Sequence, residues 1–115
     1  MTAYAIGNLR PPARVDEDVF VYMERIQSTL DSFGGRFLVH NQAVEIREGA
    51  WPEALVIIEF PAIEEARAWY ASPAYQALIP LRTDHIAGDV VLVDGVGSDY
   101  DPGRTAAALR ASAAA

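Results

Sequence analysis

The sequence predicts an α+β fold with strands and helices in the order βαββαβ, and three observations carry that prediction. Residues 19–33 repeat apolar side chains at helical spacing, four separate segments read as strands, and the third of these is apolar on both faces. At 115 residues the chain has room for one domain, near the lower end of the size at which an apolar core stands without metals or disulfides.

Residues 2–9 form the first strand, with Tyr4, Ile6 and Leu9 as its bulky members; Pro11 and Pro12 end it, because proline offers no donor to a ladder. From Asp16 the period changes. Val19, Met23, Ile26, Leu30 and Phe33 follow spacings of four, three, four and three, which lays one apolar stripe along a helix. Asp16, Glu17 and Asp18 place negative charge at its N-terminus, where the dipole favours it, and Gly34-Gly35 supply the left-handed residue that ends helices.

Residues 36–46 form the second strand, with Arg36, Leu38 and His40 sharing one face and Asn41-Gln42 bending or bulging it. Gly49 and Pro52 mark a hairpin loop. Residues 54–60 are the third strand, and its five consecutive apolar residues require cover on both sides of the sheet. Helices cover one side; a second copy of the sheet is the simplest cover for the other. Pro61 closes this strand, and Ile63, Ala66 and Tyr70 resume helical spacing as far as residue 71. Ser72-Pro73 restarts a helix through Tyr75, Leu78 and Ile79, serine as cap and proline at the first helical position, until Pro80 interrupts it. Residues 90–93 are the fourth strand, ended by Gly95-Val96-Gly97.

This order is the split βαβ, or ferredoxin-like, arrangement with a four-stranded antiparallel sheet. It occupies residues 1–97. Residues 98–115 are polar and then alanine-rich without an apolar stripe, so a flexible or weakly helical tail with no functional role is expected.

The composition narrows the function classes. A net charge of -7 with nine scattered arginines does not suit a phosphate backbone, so no nucleic-acid partner is expected. No apolar run approaches the ~20 residues that span a bilayer, and the N-terminus lacks the layout of a secretion signal, so no membrane partner and a cytoplasmic location are expected. Without cysteine there is no disulfide, thiol nucleophile, iron–sulfur cluster or thiolate zinc site. Without lysine there is no Schiff base, and with it goes the usual attachment of pyridoxal phosphate. His40 and His85 are the two side chains that titrate near neutrality, and neither sits in HxH or HExxH spacing. Neither a metal nor a cofactor is expected.

Several runs carry a family resemblance: Gly34-Gly35-Arg36-Phe37-Leu38-Val39, Glu48-Gly49-Ala50-Trp51, Glu59-Phe60-Pro61, Ala66-Arg67-Ala68-Trp69-Tyr70-Ala71-Ser72-Pro73-Ala74-Tyr75, then Arg82 and Gly88-Asp89. In order and spacing the chain resembles, over about residues 3–96, the family called domain of unknown function 1330. The resemblance implies the dimeric α/β-barrel superfamily, in which two ferredoxin-like subunits join their sheets face to face, as in muconolactone isomerase, the cofactor-free antibiotic-biosynthesis monooxygenases and several haem-handling proteins. It implies fold and a homodimer, and leaves the reaction open, since sites and not folds decide chemistry. Family members often carry arginine and then glycines where His40, Asn41 and Gln42 stand here. An anion held by that arginine in relatives would here meet a titratable histidine.

A hairpin turning within residues 48–53 would set Glu59 roughly opposite residues 40–42, making His40 and Glu59 cross-strand neighbours. A carboxylate beside an imidazole fixes its tautomer and raises its basicity, which suits proton abstraction next to a carbonyl. His40 and Glu59 are thus the candidate catalytic pair; Asn8, Arg36, Trp51, Trp69, Tyr75 and Arg82 are the candidate ligand-binding residues. Each has a plainer reading. Glu59 pairs with Arg36, Trp69 and Tyr75 belong to the core, Trp51 packs on a partner subunit, and Arg82 caps a helix. Two function classes stand: a cofactor-independent isomerase, lyase or oxygenase acting on a small hydrophobic carbonyl compound, or a non-catalytic small-ligand-binding or regulatory module. Haem binding through His40 is a minor third.

Overall fold

A computed structural model describes residues 1–51 and 53–114 of the chain. The elements are β1 (Ala3–Arg10), α1 (Glu17–Leu30), β2 (Arg36–Val39), β3 (Ala54–Phe60), α2 (Ile63–Ala71), α3 (Pro73–Thr83), β4 (Ala87–Asp94) and α4 (Pro102–Ala114). The four strands form one antiparallel sheet in the order β2-β3-β1-β4. With two crossover regions, α1 and α2–α3, this is the ferredoxin-like fold that the pattern predicts.

The helix boundaries follow from local chemistry. Asp16 is the N-cap of α1 and its side chain accepts from the Asp18 amide at 2.9 Å. After a 3₁₀ turn at Asp31–Phe33 the chain reverses at Gly34, whose φ is +69°. A Cβ there would lie 2.9 Å from Pro61 Cγ, so both backbone conformation and space require glycine. Ser72 separates α2 from α3 and caps the latter, its Oγ accepting from Tyr75 N at 3.3 Å.

Register sorts the strands into two faces. Tyr4, Ile6 and Asn8 of β1 stand opposite Glu59, Ile57 and Leu55 of β3 and opposite Val93, Val91 and Asp89 of β4, and these share the outer face. Ala3, Ala5, Ile58 and Phe60 point the other way, into a core with Val19, Ile26 and Leu30 of α1, Ala66 and Trp69 of α2, and Tyr75 of α3. Burial of this apolar surface against the helices is the main stabilising term.

Three expectations about the elements are corrected. β2 ends at Val39 instead of reaching residue 46, and Asn41 follows with φ +54°, a left-handed conformation that asparagine tolerates and that leaves the strand. Pro80 lies inside α3 instead of interrupting it; the helix runs on to Thr83, with Leu78 and Arg82 on its buried face. β4 begins at Ala87, three residues before the valine run, because its pairing with β1 extends to Arg10. The expected loop proline, Pro52, lies outside the described residues. The C-terminal segment expected to be flexible or weakly helical is the helix α4, and all of its side chains are exposed.

Candidate functional site

Between the inner face of the sheet and helices α1 and α3 lies a cleft of about 350 Å³. Its sheet wall is made by Ala5, Gly7 and Leu9, by Val56 and Ile58, and by Val90, the positions that alternation sends inward. Its helix wall is made by Val19, Tyr22, Met23, Ile26 and Gln27 of α1 and by Tyr75 and Arg82 of α3, with Trp69 behind. Of the lining residues, Met23, Gln27 and His40 are exposed, whereas Trp69, Tyr75 and Arg82 are buried. The polar groups that reach an otherwise apolar cleft are Tyr22, Gln27, His40, Tyr75 and Arg82.

His40 enters the cleft through an irregularity in β2. Arg36 and Phe37 pair with Glu59 and Ile58, but Val39 pairs with Ile57, so Leu38 is one residue too many for its partner strand. One extra residue turns every later side chain to the opposite face. Strict alternation puts His40 on the outer face with Arg36; the bulge sends it inward beside Phe37, ring centroids 5.3 Å apart.

Glu59 does not follow. It stays on the outer face, where its Oε1 accepts from Arg36 Nε at 2.8 Å. The expected cross-strand pair of His40 and Glu59 is therefore corrected: the two lie on opposite faces of the sheet, and Glu59 takes its plainer role as the partner of Arg36. Asn8 is likewise on the outer face, opposite Leu55 and Asp89, and its Oδ1 is buried with no hydrogen-bond partner among the described residues. Trp51 is half exposed in the loop after β2, where it lines a separate shallow groove with Val44, Ile46 and Leu55. Of the eight residues singled out from sequence, the cleft gathers His40, Trp69, Tyr75 and Arg82; Asn8, Arg36, Trp51 and Glu59 lie outside it.

The inner end of the cleft is an aromatic cluster with one cation. Trp69 and Tyr75 stack with centroids 4.1 Å apart, and the Trp69 indole N–H donates to Thr29 Oγ1 at 3.0 Å. The Tyr22 and Tyr75 hydroxyls are hydrogen-bonded at 2.8 Å, and the Arg82 guanidinium lies over the Tyr22 ring, 5.5 Å from its centroid. Burial, reinforced by Tyr22, pushes the Tyr75 hydroxyl well above its ordinary value of 10.0, so it is neutral and can donate. Tyr22, Met23, Gln27 and Phe37 were not foreseen as lining residues. Tyr22 had a signal: it lies three residues after Val19 and four before Ile26, on the same helical stripe.

His85 lies away from this cluster. Its Nε2 is 3.0 Å from Asp18 Oδ2 and 3.4 Å from Asp16 Oδ1, and the hydrogen bond to Asp18 raises its pKa above 6.5. Their potential ligand atoms fall within 4.8 Å of one another, but all three residues already serve the start of α1 and its link to the end of α3. No helix among the described residues is long and apolar enough to cross a membrane.

The fold and cleft define a ferredoxin-like α+β protein with a pocket between its helices and its sheet. The family profile described as Domain of unknown function (DUF1330) matches residues 2–96, and the chain belongs to that family. No curated protein matches the sequence significantly. Among solved structures, the chain is similar to the methylated RPA0582 protein, at 15% identity and TM-score 0.63 over 86% of this chain and 84% of that one. RPA0582 is a protein of unknown function from Rhodopseudomonas palustris. It is also similar to SnoaB, a cofactor-independent oxygenase from Streptomyces nogalater, at 10% identity and TM-score 0.57 over 87% and 98% of the two chains. A third similar structure is an antibiotic biosynthesis monooxygenase, at 24% identity and TM-score 0.54 over 84% and 100%. At these identities the similarity shows the fold.

Proposed function

We propose that this protein takes a small hydrophobic carbonyl compound into the helix–sheet cleft and acts on it without a cofactor, as an isomerase, lyase or oxygenase. The observation that carries the reading is the cleft itself: about 350 Å³, apolar walls, and a few convergent polar groups. That is the usual composition of a small-molecule site. Similar structures include a cofactor-independent oxygenase and an antibiotic biosynthesis monooxygenase, which supports cofactor-free chemistry on this fold. His40, on the exposed side of the cleft, is the base that would remove a proton next to the carbonyl. The Tyr22–Tyr75 hydroxyl pair, bonded to each other at 2.8 Å, keeps one O–H free to donate to a ligand oxygen at the inner end of the cleft.

The protein works in this reading as a homodimer in the cytoplasm, its outer sheet face against that of a second copy. Val91 is 53% exposed and Val93 43%, beside Ile6 and Ile57, an apolar face that water covers poorly. The buried Asn8 Oδ1 on that face is an acceptor for which a second copy would supply the donor.

A second reading, a non-catalytic binding module, is favoured by one observation: Glu59, the carboxylate expected to orient His40, is held by Arg36 on the other face. The experiment that separates the readings is turnover of small aromatic ketones, lactones and quinones by wild type, His40→Ala and Glu59→Gln, with thermal shift as the measure of binding. The enzyme reading expects turnover that His40→Ala reduces by roughly a hundredfold or more, as for loss of a general base, and that Glu59→Gln leaves unchanged. Thermal stabilisation without turnover in any variant selects the binding module. No stabilisation by any compound contradicts both.

A further inference from the structure

Arg82 presents a physical problem that the fold by itself does not resolve. It is 5% exposed, it lines the cleft, and among the described residues no carboxylate forms an ion pair with it. The nearby acids are otherwise committed: Asp16 and Asp18 face His85, and Asp84 lies exposed beyond the end of α3. What the guanidinium does meet is neutral, namely the face of Tyr22 at 5.5 Å and the Tyr22–Tyr75 hydroxyl pair. A buried cation without a counter-charge is costly, and buried charges are ordinarily paired. Arginine offers a planar fork matched to two oxygens of one carboxylate.

We propose that Arg82 is the anchor for an anionic ligand, so that the compound bound in the cleft is a small apolar monocarboxylic acid whose carboxylate seats on the Arg82 guanidinium and the Tyr22–Tyr75 hydroxyls. The proposal rests on the cleft being a ligand site, as argued above, and it adds the sign and place of the ligand's charge. The acid's apolar body lies along Val19, Ile26, Val56 and Ile58. That orientation sends its far end towards His40, on the exposed side. The overall charge of -7 does not oppose this, because among the described residues the cleft is lined by one arginine and by no carboxylate.

The test compares acids with neutral amides of the same shape on the full chain at neutral pH. Benzoate and phenylacetate are titrated against benzamide and phenylacetamide by calorimetry, with wild type, Arg82→Gln and Arg82→Lys. A charge-assisted bidentate contact predicts that each acid binds wild type roughly tenfold to a hundredfold more tightly than its amide. Arg82→Gln weakens the acid far more than the amide and so closes most of the gap between them, and Arg82→Lys, charged but without the fork, falls between. If the amides bind wild type as tightly as the acids, the anchor is overturned while the cleft stands as a ligand site. If neither acid nor amide binds, the anchor and the site both fail. Should Arg82→Gln not fold, the comparison of acid and amide on wild type alone decides the matter.

Discussion

At the residue scale, the inner end of the cleft depends on a few polar contacts inside apolar packing. Thr29 Oγ1 accepts from Trp69 Nε1 at 3.0 Å while donating to Ile26 O at 2.7 Å, linking α1 to α2 at a fully enclosed point. Thr29→Val keeps the shape but leaves the indole N–H without an acceptor. The expected cost is about 1–3 kcal/mol, measured by chemical denaturation. Trp69, Tyr75 and Arg82 were legible in the sequence as residues that could serve either core or ligand, and the structure places each of them in the cleft wall as well as in the buried interior. Glu59 was legible only in its plainer role. Whether it meets Arg36 or His40 turns on the face each occupies, and residue identity does not carry that.

At the element scale, periodicity and punctuation carried most of the information. The stripe Val19, Ile26 and Leu30 is buried in α1 as its spacing demands, and Met23, from the same stripe, lines the cleft. Asp16, Gly34 and Ser72 end or begin elements where their chemistry indicates. The bulge at Leu38 was not legible, because it is one extra residue in a short strand and leaves no compositional mark. That single residue decides where His40 points. The contact between His85 and the start of α1 adds a pH dependence. Its folded pKa is raised above 6.5, by Asp18 first and then by the charges of Asp16, Asp18 and Asp84, so the stabilisation is complete below that value and is lost as pH rises through the folded pKa. His85→Asn should therefore lower the melting temperature more at about pH 5.5 than at about pH 9, where wild type and variant converge. Thermal melts at the two pH values check this, and an equal difference at both would contradict a stabilising role for the His85 charge.

At the scale of the whole molecule, helices lie on one face of the sheet, and the doubly apolar β3 is the reason for expecting a second copy on the other. Light scattering at micromolar concentration is expected to give twice the chain mass of 12.5 kDa. Ile57→Arg, in the middle of the outer face, should shift that mass to the monomer without unfolding the protein, as seen by circular dichroism. A monomer mass for wild type would contradict the dimer.

A ligand in the helix–sheet cleft can be read optically, because the chain has two tryptophans. Trp69 lies in the cleft wall and Trp51 in the distant loop groove, so Trp51→Phe leaves one reporter at the site. Phenylacetate or acetophenone is expected to change Trp69 emission saturably in this variant, and adding Val56→Phe, which fills the cleft, is expected to abolish the change. Binding seen by calorimetry with Trp69 emission unaltered, or a change that persists after the cleft is filled, would contradict binding in the cleft.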